Sequence, residues 1–455
     1  MKFFRGDSCM RGSNNLNKSR NNFIKARKVL PDGGSRSTIG LSPHSIYIES
    51  AKGKYLRDID GNSYFDLNNN YTALIHGHSH PEITKVAIDQ VKTGTGFSFG
   101  SKAESSFAKL LCDRNENFQK IRFMNSGTEA VMNAIKVARA YTGRPKIIKC
   151  ENSYHGSYDF AEVSLDGKND PHSSEPISTA YSHGTPTGVL ENVIVIPFND
   201  AELASKIIEK NADQVAAILF DPFGQKYGRS IPSDIFIDTL KKACSDFNIL
   251  FIADEVISFR AGYSGCQKER GIKADLTAMG KIIGGGFPIG AVAGHEKVMD
   301  MFSATNGRAK VPHGGTFNAN PVSMVAGMKA MEMLKKNDFK KLNFLGKKFR
   351  EGINEVFELV NIEGYAEGQF SIFGIKVFDK KLSDNTERGL TYKSKGLHRY
   401  MLKNGYWLTP GLTGVCSTIM DQSDINPFCE TLLSGIKRTL RLIFFTHSIC
   451  QVFLP

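Results

Sequence analysis

Asp275-Leu276-Thr277-Ala278-Met279-Gly280-Lys281-Ile282-Ile283-Gly284-Gly285-Gly286-Phe287-Pro288-Ile289-Gly290 is the stretch that decides how this chain is read. Lys281, followed closely by three glycines, places a primary amine on a tight turn. The glycines let the backbone pass close to a bound ring and adopt torsions closed to other residues. Alone, a lysine beside a glycine run is most often part of a solvated loop. Three upstream stretches, in order, change that weighting.

Asn125-Ser126-Gly127-Thr128-Glu129-Ala130 reads as the start of a helix. Ala130, Val131, Ala134, Ile135 and Ala138 fall on one face of a helical wheel. Ser126 and Glu129 have capping-box spacing. The free N–H groups and positive dipole end of such a helix suit a phosphate dianion; without other signals it is an ordinary N-cap. The second stretch, Asn248 to Ala253, is a short apolar run typical of a strand buried on both faces. Asp254-Glu255-Val256 follows at its carboxyl end, where open α/β sheets place their ligands. An acid there can keep a pyridine nitrogen protonated and its ring electron-withdrawing, although Asp254 could equally cap a turn. The third stretch is Ser153-Tyr154-His155-Gly156. Tyr154 could stack on a ring and Gly156 would permit close approach, whereas His155 reads first as the maker of a local hydrogen bond.

Together these motifs resemble the class III pyridoxal-phosphate aminotransferases, and within them the glutamate-1-semialdehyde aminomutase branch. His78-Ser79-His80-Pro81 and Gly314-Gly315-Thr316-Phe317-Asn318-Ala319-Asn320-Pro321 also look like that branch, and the likeness runs from about residue 30 to about 435. The resemblance implies an α/β, fold-type I transferase with a mostly parallel sheet wrapped by helices, plus a smaller α+β domain. It implies pyridoxal 5'-phosphate as cofactor and Lys281 as the Schiff-base residue. By the same resemblance Asp254 pairs with the ring nitrogen, Val256 packs on one ring face and Tyr154 stacks on the other. The phosphate goes to the Ser126 hydroxyl and the N–H groups of Gly127 and Thr128. Thr316 reaches the phosphate of a neighbouring subunit, so a homodimer shares its active sites.

Two departures bear on substrate. The aminomutase pattern has an arginine nine residues into a Pro-Gly-Gly motif; Pro31-Asp32-Gly33-Gly34-Ser35-Arg36-Ser37-Thr38-Ile39 puts Ile39 there, with Arg36 close by. The pattern also has a glutamate in a Phe-Glu-Ala-Gly stretch, where this chain has Thr409-Pro410-Gly411-Leu412-Thr413-Gly414. A pocket that loses a charged partner does not bind the same ion well. The expected activity is therefore an aminotransferase moving an amino group between an amino compound and a keto or aldehyde acceptor. An intramolecular aminomutase is the alternative, and a cofactor-binding protein without turnover a third reading.

Composition is that of an ordinary globular enzyme, 41% hydrophobic and 23% charged over 455 residues, enough for two domains. The net charge of +12 is dispersed, with no long basic block or nucleic-acid motif, so neither nucleic acid nor a membrane is an expected partner. Eight cysteines without CxxC spacing suit a reducing compartment. His76, His78 and His80 alternate, but Gly77 and Pro81 interrupt them and no metal site is expected. The run from Gly284 lacks G-x-G-x-x-G spacing, which argues against nicotinamide binding.

The expected organisation is a basic N-terminal arm (1–28), an N-terminal part of the small domain (29–79), a large cofactor domain (80–329) and a C-terminal small domain (330–455). A first helix is expected near Phe23 to Leu30, and short strands at Ile46 to Ser50, Tyr55 to Asp58 and Tyr64 to Leu67. Ile147 to Cys150, Val193 to Ile196, Ala216 to Phe220 and Ile249 to Ala253 are expected as central strands, and Leu334 to Leu359 as a long helix. Asp166 to Gly188 exceeds a usual connection and reads as an active-site cover. The tail after Leu440 is more apolar than a free end. A cytoplasmic location is expected, with the basic arm leaving plastid import open.

Overall fold

Three short strands, β1 (Ile48–Lys52), β2 (Tyr55–Asp58) and β3 (Ser63–Asp66), form an antiparallel meander; all three were expected, although β1 begins and ends two residues later than the expected Ile46 to Ser50. The computed structural model describes residues 16–36, 41, 43–166, 175–225, 228–305, 307–377 and 387–440. Ile39, most of the N-terminal arm, and the apolar tail lie outside the described residues. The first helix, α1, covers Asn17–Ala26 rather than starting near Phe23. Its early start has a non-local cause. The Asp60 carboxylate, from the turn between β2 and β3, accepts the N–H groups of Lys18 (2.7 Å) and Ser19 (2.9 Å) and so caps the helix from outside.

The large sheet has seven strands: β4 (Lys120–Met124), β5 (Lys146–Cys150), β6 (Val193–Ile196), β7 (Val215–Phe220), β8 (Leu250–Asp254), β9 (Leu276–Gly280) and β10 (Gly290–Gly294). Their order is β4-β10-β9-β8-β7-β5-β6. β5 to β9 pair in parallel, and β10 runs antiparallel to both its neighbours. The four strands read from sequence are all present, although Val193–Ile196 is an edge strand rather than a central one. β10, Gly-Ala-Val-Ala-Gly, was not expected. It is built for close approach rather than for strand propensity: a Cβ on Gly290 would lie 2.0 Å from the Ser126 carbonyl oxygen.

Alternation along the strands feeds two apolar layers. Ile147, Ala217, Leu219 and Ile252 pack with the buried face of a helix, while Ile148, Ile218, Phe220, Phe251 and Ala253 pack beneath the helices Ala201–Asn211 and Asp234–Phe247. Helices α2 (Pro81–Thr93) and α3 (Lys102–Cys112) lie against the helix Pro321–Met333. Helix α4 (Gly127–Thr142) is the one over the first layer, and it buries the five residues that sequence periodicity assigned to its inner face.

The C-terminal part holds a long helix, Lys336–Val360, and an antiparallel sheet of β11 (Gly364–Glu367), β12 (Ile372–Val377) and β14 (Thr413–Val415). The intervening two-residue strand β13 (Tyr406–Trp407) pairs in parallel with β3, joining chain ends more than three hundred residues apart in one small sheet. No helix among the described residues is long and apolar enough to cross a membrane.

Candidate active site

Chain direction brings the site together. Asn125 and Ser126 follow β4, Tyr154 and His155 follow β5, Asp221 follows β7, Asp254 ends β8 and Lys281 follows β9. All leave the sheet at the carboxyl edge of its strands, where open α/β sheets bind ligands. A cavity of about 340 Å³ opens there, lined by Asn125, Gly127, Thr128, Tyr154, Asp254 and Lys281 among others.

Lys281 adopts φ 47°. A left-handed lysine is strained, at a cost of roughly 1–3 kcal/mol of the kind found at functional sites. The turn was expected to rest on the glycines. Gly285 and Gly286 do have positive φ, but the residue that bears the strain is the lysine. Burial lowers the pKa of its ammonium below the ordinary lysine value, against the opposing pull of Asp254 and then Asp221. A larger fraction of the amine is therefore free to act as nucleophile or base.

Asp254 is 5% exposed. One carboxylate oxygen accepts from Nδ1 of His155 at 2.7 Å and the other accepts the Val256 N–H at 3.1 Å. Because the partner is an acceptor, Nδ1 carries the His155 proton. Burial lowers the pKa of His155, against the raising effect of Asp254, which favours the neutral ring. His155 was read as a residue making a local hydrogen bond; its partner instead lies 99 residues away, at the carboxylate it orients. Asp221, which sequence reasoning missed, lines the same cavity. Burial, and then the charge of Asp254, push its carboxyl well above the usual range, which favours its protonated form. The signal was available: Asp221 stands at the end of an apolar strand, as Asp254 does.

At the helix start, the Ser126 hydroxyl accepts the Glu129 N–H at 3.1 Å. The Glu129 carboxylate accepts the N–H of Asn125, at 2.8 Å, rather than that of Ser126, so one arm of the expected box closes on the preceding residue. Ser126 itself does not line the cavity, whereas Asn125, Gly127 and Thr128 do. Its hydroxyl keeps a hydrogen to donate while it caps. The Gly127 and Thr128 N–H groups belong to the first turn and have no intrahelical acceptor. Gly127 has no room for a side chain, since a Cβ would lie 2.7 Å from Val256. Gly156 has φ 94° and its Cβ would meet Thr128 Oγ1 at 2.6 Å. Tyr154 lies at the cavity, 54% exposed. Thr316 is exposed and does not line this protomer's cavity.

The other candidates resolve differently. His76 donates Nε2–H to the Ala330 carbonyl at 2.9 Å and His78 bonds Asp66 at 2.7 Å, and no metal-holding cluster occurs among the described residues. Of the proposed cover, residues 167–174 lie outside the described residues, while 175–188 line no part of the cavity. Ser164 instead ties that stretch down through Ile177 and Thr179.

These residues fit pyridoxal phosphate: a helix N-terminus for a dianion, a buried carboxylate for a ring nitrogen, a glycine-floored slot for a flat ring and an amine for its aldehyde. Fold and site together define a fold-type I, pyridoxal 5'-phosphate-dependent enzyme of amino-group transfer. The signature described as "Aminotransferase class-III" matches residues 39–397, and the chain belongs to that family. The glutamate-1-semialdehyde 2,1-aminomutase of Methanosphaera stadtmanae is 35% identical over 421 residues, 90% of this chain and 96% of that relative. The crystal structure of an omega-transaminase from Sphaerobacter thermophilus has 41% identity and a TM-score of 0.89, covering 92% of this chain and 97% of that one. A structure described as a transaminase with PLP bound has 35% identity and a TM-score of 0.88, covering 94% and 98%.

Gly156→Ala tests the slot. The positive φ and the Thr128 contact predict a loss of about 1–3 kcal/mol of stability and weaker cofactor binding, read by thermal unfolding of the apoprotein and by cofactor titration. Unchanged values in both would remove the close-approach role.

Proposed function

We propose that this chain is an intermolecular aminotransferase acting on a carboxylate-bearing amine, with Lys281 as the residue that exchanges the cofactor for substrate. The choice of aminotransferase over aminomutase rests on Leu412. It occupies the region in which the aminomutase pattern carries an acid, it is fully buried, and its φ is 60°. A buried leucine offers no ionic contact to an amino or aldehyde group. The aminomutase reading is kept second because relatives such as the Methanosphaera protein carry that name.

Bound pyridoxal phosphate supplies an aldehyde that condenses with amines and a ring that withdraws electrons from the bond being broken. The protein supplies position and protons. Lys281 Nζ, which lines the cavity, would hold the cofactor and act as the base for the proton on the substrate α-carbon; positioned acid–base catalysis of this kind contributes on the order of 10²–10⁴-fold. Asp254 would keep a ring nitrogen protonated, and His155 fixes that carboxylate through its Nδ1 hydrogen bond. Val256 and Tyr154, both lining the cavity, would hold the ring. The α4 N-terminus, with Ser126, Gly127 and Thr128, would hold the phosphate.

Thr316 serves the neighbouring protomer in this reading, so the working unit is a homodimer. The exposure of Thr316 and, at 67%, of Phe317 beside it supports that assignment. Residues 80–329 act as the cofactor unit, while 29–79 and 330–455 act together as the smaller one, as the β3–β13 pairing supports.

Arg36 is the proposed carboxylate ligand in place of the family's arginine. Its Nη1 donates to Asn70 Oδ1 at 3.0 Å, and Asn70 lines the cofactor cavity. Arg36→Ala should raise KM for the amino donor about 10–100-fold, the loss of one charge-assisted contact, with a smaller change in kcat; an unchanged KM would refute the assignment. Single-turnover spectroscopy decides between the two activities. An aminotransferase converts the cofactor to its aminated form and releases a keto acid from the donor alone, whereas an aminomutase isomerises one amino-aldehyde with no second substrate.

A further inference from the structure

Asn70 and Gly286 form part of the wall of the cofactor cavity. Those two residues also line a second cavity of about 400 Å³, beside the first. Its wall is largely hydrocarbon, including Ile46, Leu56, Leu74, Leu402 and Trp407. Besides the phenols of Tyr64 and Tyr71, three ionisable side chains line it: Arg36, Asp66 and His78. Asp66 is 1% exposed, and it accepts the N–H groups of Asn68 (2.8 Å) and Asn69 (2.9 Å) as well as His78 Nε2 (2.7 Å). That pair is satisfied within the protein. Arg36 uses one N–H on Asn70 and pairs with no carboxylate among the described residues. A guanidinium has five N–H donors, so the cavity offers a ligand one cationic fork and a mostly apolar wall, with Asn68, Asn70, Tyr64 and Tyr71 as its neutral polar groups.

The boundary between the cavities is strained. Asn69, Asn70, Tyr71 and Thr72 have φ of 50°, 49°, 53° and 76°, a left-handed run without glycine. Such a run persists where its surroundings over-determine it. Here the Asn69 side chain donates to the Val415 carbonyl at 2.9 Å, and buried Arg260 donates to the Thr72 carbonyl at 3.0 Å. Both clamps come from elements distant in sequence. They hold Asn70 where it faces the cofactor cavity on one side and Arg36 on the other.

We propose that the second cavity is a substrate subsite that receives the apolar side chain of an amino acid whose carboxylate is held by Arg36. The substrate class is thereby α- or β-amino acids with a sizeable aliphatic or aromatic group. A short acid-aldehyde would leave the hydrocarbon wall unfilled. The inference rests on the aminotransferase reading and on Arg36 as carboxylate ligand. Each methylene moved from water onto such a wall strengthens binding about fourfold.

Trp407 is the sole tryptophan in the chain and lines this cavity, so its emission reports occupancy without turnover. The cofactor-loaded enzyme is titrated with unreactive carboxylates of increasing apolar size: acetate, butyrate, isocaproate and hydrocinnamate. The expected result is affinity rising with each methylene, a shift in Trp407 emission, and loss of both on Arg36→Met. Leu402→Asp should abolish the size dependence while the visible spectrum of the cofactor stays unchanged. Emission and affinity indifferent to apolar size would overturn the proposal, as would a size dependence that survives both substitutions. A cofactor spectrum that responds to amino donors while Trp407 does not would sink the subsite alone. A spectrum inert to every amine would instead sink the aminotransferase reading on which it rests.

Discussion

Lys281→Ala is expected to slow amino transfer by on the order of 10²–10⁴-fold and to abolish the visible absorbance of lysine-bound cofactor, while leaving a folded protein. The expected effect is large because, in the proposed function, one amine serves both as the attachment point and as the base that moves the proton. The surroundings are arranged for both. Lys281 leaves β9 in a strained torsion, and burial lowers the pKa of its amine against the opposing charges of Asp254 and Asp221. Borohydride should fix the cofactor to Lys281, and an adduct mapped to another lysine would overturn the assignment. The apoprotein gives a second readout. A lysine whose folded pKa lies below its unfolded value carries the full penalty of a buried charge at lower pH. In the window between the two values the unfolded chain holds more protons, so stability rises with pH there. Apoprotein carrying Lys281→Met should lack that rise, and identical pH–stability curves would mean that the buried ammonium costs nothing.

The parts of this site that were legible in sequence are those whose geometry is local. A helix start declares itself within five residues, so the α4 face and the Ser126 cap could be read directly. An acid after an apolar strand declares itself as well, which makes Asp254 readable and Asp221 an avoidable omission. The strand β10 escaped because Gly290–Gly294 is alanine and glycine apart from one valine. Its two glycines are required by how close Ser126 and Asp275 approach, which no propensity encodes. Contacts across the chain were invisible for the same reason: Asp60 capping α1, His155 on Asp254 and Arg36 on Asn70 join residues that only the folded chain brings together. Substrate preference is written mostly in such contacts, which is why the cofactor could be read from motifs and the amine could not.

Asp254→Asn is expected to slow proton abstraction by on the order of 10²–10³-fold, the scale of removing one preorganised electrostatic contact from an active site, with cofactor still bound. The amide can still accept from His155 Nδ1, but its NH₂ then faces the Val256 N–H, which the second carboxylate oxygen now accepts. The change therefore removes the negative charge and one hydrogen bond without emptying the site. It also acts on Asp221. Burial, and after it the charge on Asp254, raise the Asp221 pKa, so neutralising Asp254 removes the second of these and makes Asp221 more readily ionised. Asp221→Asn should consequently be mild in the native background and costly in the Asp254→Asn background. The coupling in a double-mutant cycle should be about 1 kcal/mol or more, as for groups sharing one network. Single-turnover spectroscopy of all four proteins with one amino donor measures it. If the two losses simply add, Asp221 is a bystander and the residual activity of Asp254→Asn comes from elsewhere.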